Sequence, residues 1–153
     1  DESALNKVEK MLHEAVQEGA KIVMGGSRPS IENGYFFEPT ILVDVEDSMA
    51  CMNSEIFGPI APIATFKTEE EVIARANDSQ YGLAAYVYTQ NLTRAFTISE
   101  GLEYGIVGVN DALPSVAQAP FGGYKESGLG REGSHFGIEE FLEVKYISIG
   151  LSL

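Results

Sequence analysis

An α/β fold is the expectation for this chain, with a mostly parallel sheet, flanking helices and an extra strand at its end. Three observations support it. Apolar runs of strand length alternate with stretches whose apolar residues recur at helical spacing. Side chains suited to capping a helix stand just before those helical stretches. Strand, helix, strand, helix and strand also follow one another at a spacing that suits parallel crossovers. The 153 residues are 44% hydrophobic and 22% charged, a balance that can build a core rather than remain disordered.

Taken in order, Ser3 is placed to cap a helix whose Leu5, Val8, Leu12, Ala15 and Val16 share a face, and Gly19 ends it. Lys21 to Met24 reads as a short buried strand ending at Gly25-Gly26. Phe36 to Val45 reads as extended, with Pro39 keeping its start out of any central ladder. Ile60 to Lys67 is a further strand. Thr68 with Glu71 forms a capping box for a helix to about Asn77, with Val72, Ile73 and Ala76 inward. Gly82 to Tyr88 is rich in strand formers. Asn91 caps a helix with a Leu92, Ala95, Phe96 and Ile98 stripe, and Gly105 to Val109 is another strand. A long irregular stretch from Asn110 to Gly133 follows, of the kind usually kept for function. A helix from about Glu132 to Phe141 and an apolar strand from Glu143 to Ile149 complete the order.

Charge and composition remove several functions. A net charge of −13 opposes binding to nucleic acid or to an anionic membrane surface. One cysteine, Cys51, permits no internal disulfide, and no apolar run is long enough to span a bilayer. With no basic, apolar leader, the expected location is cytoplasmic. The opening Asp1-Glu2-Ser3, without methionine, suggests a piece of a longer protein.

Gly128-Leu129-Gly130-Arg131-Glu132-Gly133 spells a dinucleotide fingerprint, but no strand leads directly into it and no acid lies about 20 residues beyond. A structural role for these glycines fits better. Cys51 sits among Asp44, Glu46, Asp47 and Glu55, which disfavour a thiolate, so an inert cysteine is expected rather than a nucleophile. His13 and His135 lack metal-ligand spacing, and no metal is expected. Glu55-Ile56-Phe57-Gly58-Pro59 reads as a rigid turn presenting a carboxylate and a ring. A carboxylate can accept two hydroxyl hydrogens, as from a ribose diol, although a plain structural turn has the same composition.

The Glu55 to Pro59 turn and the run Pro120-Phe121-Gly122-Gly123-Tyr124-Lys125-Glu126-Ser127 to Gly133 together resemble the C-terminal part of the aldehyde dehydrogenase family. Phe36 to Thr40 and Asn77 to Gly82 resemble family segments too, so the resemblance covers essentially the whole chain. It implies an NAD- or NADP-dependent oxidoreductase in which a cysteine thiolate attacks the aldehyde to give a thiohemiacetal. An oxyanion is held by an amide side chain and a backbone N–H, hydride passes to the nicotinamide, and a glutamate activates water. It also implies that Glu55 accepts hydrogen bonds from the nicotinamide ribose and that Phe57 packs near it. Ser54 stands where the family usually has a second acid. The nucleophile, oxyanion asparagine, general base and dinucleotide domain all precede the Glu55 motif in the family. None is found in these residues, so the chain alone is expected to be inactive.

Gly105 to Asn110 and Gly137 to Leu151 resemble the succinate-semialdehyde dehydrogenases. In that subfamily a serine before Pro-Phe-Gly-Gly helps grip the distal carboxylate of the substrate, and Ser115 stands at that position. Pro114 and Ala117 to Ala119 depart from the usual wording of the loop, which leaves other ω-carboxylated semialdehydes open. Two regions are expected, 1–142 as the end of the catalytic domain and 143–153 as a strand for homo-oligomerisation into a dimer or tetramer. The competing expectation is a non-catalytic oligomerisation or regulatory module derived from the same family.

Overall fold

The computed structural model describes residues 1–31 and 33–151. The chain divides into two compact units, Asp1–Lys67 and Thr68–Leu153. The expected boundary at 142/143 falls inside the second. Among the described residues no helix is long and apolar enough to cross a membrane.

The first unit opens with helix α1 (Glu2–Gln17). Its N-cap is Asp1, whose carboxylate accepts from Ala4 N–H at 2.8 Å. Ser3, the expected cap, lies inside the helix, because the helix starts two residues earlier than its apolar stripe suggests. The other end is a Schellman stop. Gly19 takes φ 114, its N–H reaches Val16 O, and Ala20 N–H reaches Ala15 O. The inward face is Leu5, Val8, Met11, Leu12 and Ala15. Val16, expected there, is 42% exposed, and Met11 takes its place.

Strands β1 (Lys21–Met24), β2 (Thr40–Val43) and β3 (Ile60–Pro62) form one sheet in that order. β1 runs antiparallel to β2 with a slip between Ile22 and Met24, and β2 pairs in parallel with β3. The expected buried strand at Lys21 to Met24 is present, but all four residues are exposed. It lies at the sheet edge, with a ladder on one side only. The core instead joins α1, central β2 and short helix α2 (Ala50–Asn53), through Val8, Leu12, Leu42, Val45, Met49 and Cys51. Thr40 is buried, and its hydroxyl is satisfied from both sides: it accepts from Gly26 N–H and donates to Glu38 O.

The second unit contains the expected capped helices. Thr68 Oγ1 accepts from Glu71 N–H at the head of α3 (Glu69–Asn77), and Asn91 Oδ1 accepts from Arg94 N–H at the head of α4 (Leu92–Gly101). Strands β5 (Ala84–Val87) and β6 (Ile106–Val109) pair in parallel across α4, the expected crossover. β4 (Tyr81–Gly82) and β7 (Tyr124–Lys125) form a second, antiparallel pair. The architecture is the expected α/β, and among the described residues the strands form three small sheets that mix parallel and antiparallel pairs. Of the α4 stripe only Ile98 is fully buried, while Leu92 and Phe96 are 73% and 62% exposed. The last helix, α5 (Phe136–Glu139), is shorter than the expected Glu132 to Phe141.

Among the described residues, 143–151 pair in no ladder. Val144, Tyr146 and Ile149 are exposed. A strand is defined by its pairing, and the expected pairing here is with a second copy. The final two residues of the expected 143–153 strand lie outside the described residues.

Candidate cofactor and substrate site

Glu55 and Phe57 sit in the turn between α2 and β3, within the first unit. Side-chain alternation explains their presentation: Ile56 is half-buried and packs on the core, while Glu55 and Phe57 on either side point to the surface. The turn is fixed at both ends. Asn53 Nδ2 donates to Met49 O and Asp47 O, Ser54 N–H bonds Ala50 O, and Thr40 N–H bonds Pro59 O. Gly58 is required where the turn crosses α1, because a Cβ there would lie 2.4 Å from Val8 Cγ2. Phe57 has φ 47, a left-handed conformation that is rare and costly for a bulky side chain, and it is 82% exposed. The result is an exposed carboxylate two residues from an exposed ring on rigid backbone. This arrangement can receive a diol through the carboxylate and cover one sugar face with the ring.

Cys51, one turn upstream in α2, is buried, and burial pushes its thiol up, with the Glu18 carboxylate adding to the shift. An activated nucleophile needs the opposite environment. His13 and His135 are exposed, and His135 stacks on Phe136 at 4.0 Å.

Ser115 lies in the second unit and is exposed, in the loop between β6 and the Gly-rich run. That run is heavily tied down. Phe121 and Glu132 exchange both backbone hydrogen bonds, at 2.8 and 2.7 Å. Ser127 Oγ accepts from Gly82 N–H at 2.9 Å. Arg131 donates to Gly123 O and Gly130 O and lies 5.7 Å from the Tyr124 ring centroid. Lys125 Nζ donates to Asn77 O and Ser79 O at the end of α3 and pairs with Glu103 at 2.7 Å. A Cβ on Gly105 would sit 1.8 Å from Gly122 O, so only glycine allows β6 to meet this loop. The glycines act through close backbone approach, and Gly128 to Gly133 does not form a strand-to-helix dinucleotide turn. A cleft of about 690 Å³ lies beside the run, between Phe121, Leu129, Arg131 and Phe141.

The geometry thus joins Glu55 and Phe57 in one turn and places Ser115 on a separate unit. Asn110, Lys125 and Arg131, which hold the second unit's loop, were not singled out from sequence. Asn110 and Lys125 reach backbone groups 21 and 48 residues away, for which sequence spacing carries no signal, while Arg131 bonds carbonyls of its own loop.

A turn of this wording, followed by a locked Gly-rich loop on a parallel β-pair, defines the class. The chain belongs to the aldehyde dehydrogenase family, whose profile it matches over residues 1–147. Among its relatives, succinate-semialdehyde dehydrogenase (NADP+) of Escherichia coli strain K12 is 53% identical, over 99% of this chain and 31% of that protein. Glutarate-semialdehyde dehydrogenase of Pseudomonas aeruginosa is also 53% identical, over 98% of this chain and 31% of that protein. A solved E. coli NADP-dependent enzyme superposes with a TM-score of 0.94 at 53% identity, covering 99% of this chain and 31% of that one. The chain therefore spans about a third of the length of the relatives it matches.

Proposed function

We propose that these residues form the C-terminal part of an NAD(P)-dependent dehydrogenase of ω-carboxylated semialdehydes, with succinic semialdehyde as the first candidate and succinate as its product. One observation carries the reading. Nearly the whole chain is 53% identical to enzymes named for two dicarboxylic semialdehydes. The exposed Glu55 carboxylate and Phe57 ring fit a nicotinamide ribose, which Glu55 would bind through its hydroxyls and Phe57 would cover. The cofactor supplies the hydride acceptor. The Ser115 hydroxyl donates a hydrogen bond to the far carboxylate of the substrate. The described part of residues 143–153, exposed and apolar, pairs with a sheet of a second copy in a dimer or tetramer.

Residues 1–153 alone supply a rim of the cofactor site, and Cys51 does not act as the nucleophile. The isolated chain therefore oxidises no semialdehyde and binds NAD(P) weakly; micromolar affinity by isothermal titration would contradict this. In the full-length enzyme, Ser115→Ala raises the KM for succinic semialdehyde roughly ten- to a hundredfold, the loss of a hydrogen bond to a charged group. An unchanged KM removes Ser115 from the substrate site.

A further inference from the structure

We propose that Asn110 is a positioning residue that holds the Ser115 loop in place for recognition of the distal carboxylate, an inference that rests on the substrate reading above. Asn110 ends β6 with φ 53, a left-handed turn that starts the loop. Its side chain clasps both backbone groups of one residue: Oδ1 accepts from Thr89 N–H and Nδ2 donates to Thr89 O, each at 2.9 Å. Its own N–H continues the β5–β6 ladder to Val87 O at 2.8 Å. The amide thus extends the parallel pairing by one rung after the backbone has turned away, and it ties the loop's origin to the segment that leads into α4.

Beyond Asn110 the chain folds back tightly. Asp111 Oδ1 accepts from Leu113 N–H at 2.9 Å. A Cβ on Gly108 would stand 2.4 Å from Asp111 O and 3.4 Å from Pro114 Cγ, so the reversal lies directly on the strand. At the far end Ser134 N–H bonds Ala117 O at 2.9 Å, and a Cβ on Gly133 would meet Ala119 O at 2.9 Å. Ser115 therefore lies between two anchors. The C-terminal anchor is made of backbone groups, whereas the N-terminal one adds the Asn110 amide side chain to its backbone bond with Val87. Asparagine suits that position because it tolerates positive φ better than other side chains with both a donor and an acceptor. Removing the clasp while keeping the turn leaves the strand pair intact and lets Ser115 drift.

The test compares full-length wild-type, Ser115→Ala and Asn110→Gly enzymes on succinic semialdehyde and on butanal, which has the same chain length and no carboxylate. Glycine keeps the left-handed backbone and loses only the clasp. The expected result is that Asn110→Gly lowers the succinic semialdehyde-to-butanal ratio of kcat/KM about tenfold, mostly through KM, and leaves butanal turnover within twofold. Ser115→Ala lowers the same ratio. If Ser115→Ala lowers the ratio and Asn110→Gly does not, the positioning role is overturned and the Ser115 reading survives. An equal fall on both substrates in Asn110→Gly also overturns it, because Asn110 then serves only general stability. If Ser115→Ala leaves the ratio unchanged, the substrate reading falls and this inference falls with it. Should Asn110→Gly not accumulate as folded enzyme, Asn110→Asp, which keeps the acceptor for Thr89 N–H but loses the donor, is judged by the same ratio.

Discussion

Replacing Phe57 tests whether its backbone is held against its own preference for the sake of the ring. At an ordinary position glycine is less stable than alanine by about 0.5–1 kcal/mol, because its unfolded chain is freer. At φ 47 the alanine Cβ faces the penalty of the left-handed region, about 1–2 kcal/mol. The order should therefore reverse, with Phe57→Gly more stable than Phe57→Ala by about 0.5–1 kcal/mol. Ring burial does not obscure this, since both variants lose the same ring and it is 82% exposed. With less than a fifth of the side chain covered, its removal costs about 0.3–0.5 kcal/mol, against about 3–5 kcal/mol for a phenylalanine in a core. Urea unfolding of the purified chain, followed by far-ultraviolet circular dichroism, measures the difference as a shift in midpoint at constant slope. In the full-length enzyme both variants should weaken NAD(P) binding alike, because the ring is missing from both. An alanine variant as stable as the glycine variant, or more so, would refute the strain argument. A cofactor affinity unchanged in both would remove Phe57 from the site.

Three further outcomes are expected. Gly105→Ala destabilises the chain by about 2–4 kcal/mol, combining overpacking against Gly122 O with loss of the Gly105 N–H bond to Gly82 O; a urea midpoint close to wild type would show that the two segments separate easily. The Arg28 guanidinium holds the Glu9 carboxyl below its ordinary value of 4.5 through hydrogen bonds. A lowered carboxyl stabilises the fold above its unfolded value and loses that contribution as pH falls through the folded value. Any deficit of Glu9→Gln at pH 7 should therefore shrink as pH falls below 4.5 and vanish once the folded carboxyl is protonated, and a deficit that persists at the acid end of the titration would assign it to packing. Cys51 should react with a thiol reagent at pH 8 only as fast as the chain opens, because it is buried with its thiol pushed up; rapid labelling of the native chain would contradict that.

Local signals were legible in the sequence. The Thr68 and Asn91 caps bond as their spacing requires, and Gly19 closes α1 as its position suggests. The parallel β5–β6 pair follows from two strands with a helix between them. What the sequence did not reveal was cover. Apolar content marks Lys21 to Met24 and the Leu92–Phe96 stripe as inward, yet nothing in a strand or helix states whether a layer lies over it. The Glu143 to Ile149 expectation concerns pairing with a second copy, and pairing belongs to two strands rather than being a property of one. The turn at Glu55 was readable as a turn, but its left-handed Phe57 was not, because a phenylalanine gives no hint of positive φ. The grip of Lys125 on the end of α3 joins residues 48 apart and leaves no periodic trace.

The tie between Ser127 and Gly82 spans 45 residues, and this distance orders the events of folding. The β5–β6 pair and α4 can assemble from neighbours about twenty residues apart in sequence. Closing the longer loop costs more chain entropy, growing slowly with its length, and it is rewarded only once β4 is there to receive it. The segment bearing Ser115 should therefore acquire its shape last. In hydrogen exchange the amides of Gly82 and Glu132 should open together and before those of β6, so the region proposed to choose the substrate is also the first to come undone.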